Sequence, residues 1–302
     1  MAQVVEVRIE SHIDKTFRIG KVTGSGNLGG GCTFSNGTSV GANTWSVGCD
    51  DNFTFSGKVT GNGTRLTKVG AGKMTANGKW DNTGAVSVNE GELHFGSSAQ
   101  LGTGALTVAK DAILSGTTLS SSSMSNSSVT VNGTLQVGMT ATSTSGVINF
   151  GNKNVTFNSG STLEVGVKGA TTSSEAGCTK LQQVARLTMN ATIRIHLDAD
   201  CSLQVGDSIV LWQAGSVSGT PELEFTSAVI DAEKGLYWDT KDLANGILRV
   251  SDDATLGISR MGMTAADELA PVFTLDGRYA GNNVKALQRG VYIRKGKKIV
   301  VK

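Results

Sequence analysis

The chain has 302 residues, 40 of them glycine and 2 proline, with 5% aromatic and 17% charged residues and a formal net charge of +2. Abundant glycine without a third-position repeat or abundant proline excludes collagen, and so few charges argue against a charge-driven disordered chain or a long charged helix. A near-neutral balance gives no electrostatic direction toward nucleic acid, which calls for a basic face or stripe.

The first residues, Met1-Ala2-Gln3-Val4-Val5, carry no basic region, long apolar core or cleavage site, so they do not read as a signal peptide. They run directly into a strand-like stretch, and residues 1–19 are expected to form an opening strand or N-terminal cap. The chain reads as a fragment with more protein upstream. No stretch approaches the roughly 20 apolar residues of a membrane helix, so the chain is expected not to span a membrane.

Residues 20–170 share one texture. Short runs of alternating β-formers, such as Val86-Ser87-Val88, Leu106-Thr107-Val108 and Val129-Thr130-Val131, are separated by turn dipeptides such as Asn-Gly and Ser-Gly. Alternation with period two gives each run one apolar and one polar face. Nothing here shows an apolar stripe at helical spacing. Leu93, Leu114 and Leu135 recur at steps of 21, and Leu163 follows after 28, as if one coil carried an insertion. A fixed period near 20 marks a solenoid whose units bury their apolar faces only by stacking. At a strand spacing of about 4.8 Å, roughly seven such coils would rise about 34 Å. Asparagine is expected to form side-chain ladders between coils.

Within this region Phe53-Thr54-Phe55-Ser56-Gly57 is followed by Leu66-Thr67-Lys68-Val69-Gly70-Ala71-Gly72-Lys73-Met74-Thr75-Ala76-Asn77-Gly78, then Gly84-Ala85-Val86-Ser87-Val88 and Gly91-Glu92-Leu93. Over about 50 residues this resembles the autotransporter-associated β-strand repeat, with Met74 and Ala76 in place of two leucines. The resemblance implies an all-β, right-handed parallel β-helix in a secreted or surface passenger. It names an architecture and not an activity, since the repeat occurs in adhesins, in proteases and beside polysaccharide-degrading domains.

Residues 171–250 lose glycine and gain longer strands, as in Leu187 to Leu197. Leu203 to Trp212 and Gly235 to Val250 are similar to the late coils of such passengers. The region is expected to hold wider coils and a cap, because an open end would expose unpaired backbone groups. Residues 251–264 read as a linker. The tail, residues 265–302, carries Leu275-Asp276-Gly277-Arg278, then Gly290-Val291-Tyr292, then Gly296-Lys297-Lys298 and a final Val301-Lys302. It resembles the C-terminal sorting domain of the type IX secretion system of Bacteroidetes, over about 32 residues. That implies a small antiparallel unit of three to five strands, with Gly296 at a hairpin turn. It also implies contact with the secretion machinery and an extracellular or outer-surface location on a Gram-negative bacterium. The basic run from Arg289 to Lys302 otherwise reads as solvated surface.

Candidate chemistry is sparse. Cys32, Cys49, Cys178 and Cys201 form two local pairs with no Cys-x-x-Cys. Disulfides Cys32–Cys49 and Cys178–Cys201 suit an oxidising compartment, with four buried free thiols as the alternative. No zinc site is expected, because His12, His94 and His196 are scattered. His94 and His196 alternate with apolar neighbours and should face outward, and no nucleophile elbow accompanies them. The carboxylate pairs Asp50-Asp51, Glu90/Glu92 and Asp198/Asp200 are candidates for glycosidase chemistry, but they read as surface, with Asp198-Ala199-Asp200 at most a weak calcium loop. Gly24-Ser25-Gly26 and Gly29-Gly30-Gly31 lack the context of a phosphate loop and read as turns. Carbohydrate binding is the more plausible activity. Trp45 and Trp80 lie among polar residues and glycines, so they are candidates to stack on sugar rings, with packing under a loop as the alternative. Trp212 should be buried, and Trp238 reads either way. The expectation is a non-enzymatic scaffold, stalk or adhesin that contacts a polysaccharide or host glycan and needs no cofactor or metal. The alternative is a carbohydrate-binding accessory region of a polysaccharide-degrading enzyme. A β-helical lyase stands third, with no residue set to support it.

Overall fold

Alternation within each short run settles which side chains meet. In Arg65–Lys68, Leu66 and Lys68 point one way and Arg65 and Thr67 the other. The computed structural model describes residues 7–8, 15–30, 32–33, 39–40, 42–119, 124–138, 146–172, 175–225, 229–231, 235–253, 272–275, 277–281, 287–294 and 297–301. They fall into two compact units, Met1–Gly257 and Ile258–Lys302.

The first unit is a parallel β-helix. Nine parallel strands, from Thr16–Ile19 to Trp212–Ser218, form one long sheet, and eight, from Phe53–Phe55 to Glu222–Phe225, form another. Shorter parallel pairings on a third side join Leu28–Gly29 to Val59–Thr60 and Lys79–Trp80 to Gln100–Leu101. The expected period holds: Leu93 registers with Leu114, Leu114 with Leu135, and Leu135 with Leu163. Phe53 and Met74 extend the row upstream, and Ile193 and Leu223 extend it downstream. The facing sheet supplies Trp45, Leu66, Val86, Leu106, Val129, Val155 and Leu187 in register. These two rows build a continuous dry core. Each coil covers the apolar face that its neighbour cannot cover alone.

Sizes within the rows are complementary. Phe95 lies between Ala76 and Gly116 in register, and a Cβ on Gly116 would fall 2.2 Å from the Phe95 ring. Glycine also recurs where coils touch backbone to backbone. A Cβ on Gly78 would fall 1.8 Å from the Gly57 carbonyl oxygen, so the stacked turn tolerates no side chain there.

Coils widen toward the C-terminus. The widening starts at Val147–Phe157, earlier than residue 171, where composition alone put it. That strand and Lys180–Met189 each run through a bulge, at Asn149–Lys153 and beside Val184, where Asn152 and Gln183 hold positive φ. The bulge lets one strand turn a corner and serve two sides of the coil. The longer step between Leu135 and Leu163 belongs to this change. Four antiparallel strands, in the order Ser208–Val210, Ile247–Ser251, Leu236–Asp239, Val229–Asp231, then close the unit. Trp238 of this cap stacks on Phe225 of the last coil, with ring centroids 5.6 Å apart.

The second unit is a four-stranded antiparallel sheet in the order Tyr279–Gly281, Val272–Thr274, Gly290–Arg294, Lys297–Val301. Arg294 registers opposite Lys297 in the last strand pair. Gly296 itself, and Lys302, lie outside the described residues. The linker proposed for residues 251–264 lies outside them from residue 254 onward.

Candidate functional site

Trp45 and Trp80 correct the expectation of sugar stacking. Each is 1% exposed, so neither ring has a face to offer a ligand. Trp45 Nε1 donates to the Gly29 carbonyl at 3.0 Å, and its ring lies 5.3 Å from Phe17. Trp80 Nε1 donates to the Gly57 carbonyl at 3.2 Å, and its ring lies 6.4 Å from Phe55. Their polar neighbours point the other way along the strand, so a polar flank on both sides marks an inward residue. Trp212 and Trp238 are buried as well.

The outer face of the eight-stranded sheet carries Glu92, His94 and His196. One row holds Thr75, His94, Ser115, Gln136, Glu164, Arg194 and Glu224 in register. Ser115 Oγ donates to Glu92 Oε1 and lies 2.7 Å from His94 Nδ1. With the hydroxyl proton given to the carboxylate, the imidazole presents N–H and not a lone pair. His94 is therefore not placed as a base toward Ser115. Burial, and then Lys73, hold the His94 pKa below its ordinary value, against the pull of Glu92. Lys73 Nζ pairs with Glu92 at 3.3 Å. Further along, Arg194 bridges Glu164 at 2.7 Å and Glu224 at 3.1 Å, and His196 Nε2 lies 2.6 Å from Glu164 Oε2. Both histidines do face outward, and both are engaged between neighbouring coils.

The other carboxylate pairs are also engaged locally. Asp50 accepts from the Ala71 N–H, Glu90 from the Gly70 N–H, and Asp198 from the Asp200 N–H. Among the described residues no group of histidine, cysteine and acidic side chains is placed to hold a metal ion. The asparagine ladder expected between coils is present: Asn158 Nδ2 donates to Asn132 Oδ1 at 2.7 Å, and Asn132 Nδ2 donates to the Val108 carbonyl.

The outer face of the nine-stranded sheet is different. Its central row reads Arg18, Ser46, Thr67, Ser87, Thr107, Thr130, Thr156, Thr188, Ser218, so a hydroxyl occupies eight consecutive coils. Within the row only Thr188 and Ser218 bond to each other, at 3.3 Å, among the described residues. At the N-terminal end lies an open groove of about 650 Å³, lined by Arg18, Thr44, Ser46, Thr67, Asn89 and Glu90 among others. Arg18 is exposed and makes no ion pair among the described residues. Beneath this groove sits a residue whose role the sequence did not disclose. Lys68 points inward and is 0% exposed. Its ammonium donates to the carbonyls of Val69, Gly70 and Glu90 at 2.9, 2.8 and 3.0 Å. Burial lowers its pKa, opposed chiefly by Glu90. Its parity with Leu66 was the available signal.

Cys49, Cys178 and Cys201 are free thiols, so the expected Cys178–Cys201 bridge is not formed, and the Cys32 side chain lies outside the described residues. Cys178 is buried, with Sγ 3.4 Å from the Val210 carbonyl, and burial pushes its pKa up to about 12. Cys201 is half-buried at the end of its strand, and burial pushes it to about 11. In the tail, Gly277 adopts φ +81 and donates to the Thr274 carbonyl, and Arg278 N–H donates to Thr274 Oγ1. Tyr292 donates its hydroxyl to the Gln288 carbonyl, and a Cβ on Gly290 would lie 3.2 Å from its ring. The side chains of Lys297 and Lys298 lie outside the described residues.

This architecture defines an all-β protein of the parallel β-helix class. No protein family matches the sequence, and no curated protein does. Among the described residues no helix is long and apolar enough to cross a membrane.

Proposed function

We propose that this chain is the β-helical scaffold, stalk or adhesin region of a secreted cell-surface protein that contacts glycans along its outer face. One observation carries the reading. The charged groups of the eight-stranded face are bonded from coil to coil, while the nine-stranded face keeps a long row of neutral hydroxyls. A stack reinforced on one side, with a regular central row of neutral hydroxyls on the other, suits a rigid spacer with a weakly binding surface. Trp45 and Trp80, the expected sugar-stacking residues in this reading and in the alternative of an accessory region of a polysaccharide-degrading enzyme, are both core, so glycan contact falls to the polar outer side chains.

The sorting-like tail gives the surface reading its test. The full chain with an N-terminal epitope is expressed in a Bacteroidetes strain with a working type IX system. The epitope is expected to be reached by antibody on intact cells, and to be lost from the surface when residues 265–302 are removed. Retention inside the cell with the tail intact would overturn the reading.

A further inference from the structure

We infer that the groove at the N-terminal end of the nine-stranded sheet is a subsite for an acidic sugar, its carboxylate held by Arg18 and its hydroxyls by the row beginning at Ser46. The inference rests on the reading of the chain as a glycan-contacting surface protein and names the class of glycan.

The chemistry follows from the lining. Arg18 stands in the outward row that otherwise carries hydroxyls, directly beside Ser46 in register. A guanidinium has five N–H donors in a rigid fork and no acceptor, a geometry that matches a carboxylate through two parallel bonds. Elsewhere on this unit Arg194 and Arg249 each hold carboxylates within the chain, while Arg186, exposed on the same nine-stranded sheet and also without an ion pair among the described residues, does not line this groove. Arg18 has no such partner among the described residues and lines an open groove of about 650 Å³. Thr44, Ser46 and Thr67 surround it with groups that both donate and accept. Parallel strands set these hydroxyls about 4.8 Å apart along the stack and about 6.6 Å apart along a strand, which is the scale of one sugar ring.

Glu90 lines the same groove. Its Oε2 accepts from the Gly70 N–H at 2.7 Å, and its Oε1 has no bonded partner among the described residues, leaving an acceptor for a sugar hydroxyl. No ion pair joins Arg18 to Glu90. One guanidinium beside one carboxylate suits a singly charged uronate unit better than a phosphate monoester, whose charge near −2 would ask for more than one cation. No tryptophan, tyrosine or phenylalanine lines the groove, so recognition rests on charge and hydrogen bonds rather than ring stacking. A single unit should therefore bind weakly, and retention should come from many units on a polymer.

The test is affinity electrophoresis of the full chain through gels holding polygalacturonate, alginate or hyaluronate. Each is compared with its carboxyl-reduced counterpart and with neutral galactan and glucan. Retardation by at least one uronate polymer is expected, weakened about tenfold by carboxyl reduction and to the same degree by Arg18→Gln. Arg18→Lys should keep part of it, and Thr67→Val should weaken it without removing the preference for acid. Arg18 is exposed, so its variants should melt like the parent, which a thermal scan checks. Equal retardation by native and reduced polymers, or an Arg18→Gln variant that binds like the parent, would overturn the acidic subsite and leave the glycan reading standing. Mobility unchanged by every polymer, acidic or neutral, would overturn both.

Discussion

The two long sheets share one core and present opposite outer faces. On the eight-stranded sheet, charge is abundant and paired across coils, Lys73 with Glu92 and Arg194 with Glu164 and Glu224, and His196 is hydrogen-bonded to Glu164. On the nine-stranded sheet the central outward row is hydroxyl after hydroxyl, and Arg18, the one guanidinium in that row, is unpaired among the described residues. The only fully buried charge among the described residues, Lys68, lies beneath that second face and is capped by three carbonyls. Identical apolar stacking leaves the outside free to diverge. One side serves cohesion between coils, and the other is left chemically open.

The shared core sets the largest expected effect. Trp80→Ala removes a buried indole and the donor to Gly57, and should cost about 3–5 kcal/mol by urea unfolding. A cost near zero would mean that Trp80 is exposed after all and would restore it as a ligand candidate. Lys68→Met comes next. It leaves three carbonyls without their donor and should cost about 2–3 kcal/mol. A gain in stability would place Lys68 with those buried charges that apolar residues replace at no loss.

Arg194→Gln probes the paired face. Its side chain is 36% exposed, so solvent screens it, and the loss should be about 0.5–1 kcal/mol and shrink in high salt. A loss indifferent to salt would show that packing, not charge, joins those coils. His94 adds a pH dependence. Its folded pKa lies below the ordinary 6.5, so the unfolded chain takes up the proton first as pH falls. Its contribution to stability is complete above pH 6.5 and declines as pH drops through the folded value. Urea midpoints at pH 7.5 and pH 5 should therefore differ less in His94→Gln than in the parent. The smallest effect belongs to the open face. Thr107→Val should change stability by less than about 0.5 kcal/mol, since its hydroxyl joins no other coil. A larger loss would erase the contrast between the sheets.

The repeat was legible in the sequence because stacking demands the same parity and the same period from every coil, as in Leu93, Leu114 and Leu135. The tryptophans obey the same rule against the polarity of their neighbours. Thr44 and Ser46 flank Trp45, and Lys79 and Asp81 flank Trp80. On a strand such flanks point away from the residue between them. His94 and His196 were read with that rule and do face outward. Lys68 shows the rule outweighing residue type, because a long stem carries its charge from an inward position to carbonyls at the turn. Two features could not be read locally. The bulge that merges two sides of a coil depends on positive φ at Asn152 and Gln183; the Gly151-Asn152 dipeptide signals a turn, but nothing beside Gln183 does. The groove is assembled from four successive coils, so Arg18 and Glu90 meet only after the stack exists.

The buried thiol of Cys178 makes the closed end of the solenoid observable. Its sulfur lies against the Val210 carbonyl of the capping sheet, and at pKa about 12 almost none of it is thiolate at neutral pH. Alkylation must wait until the cap lifts, whereas the half-buried Cys201 is not sealed in this way. The rate of modification at this one atom is thus a clock for fraying of the last coils. It would tick well before the stack as a whole comes apart.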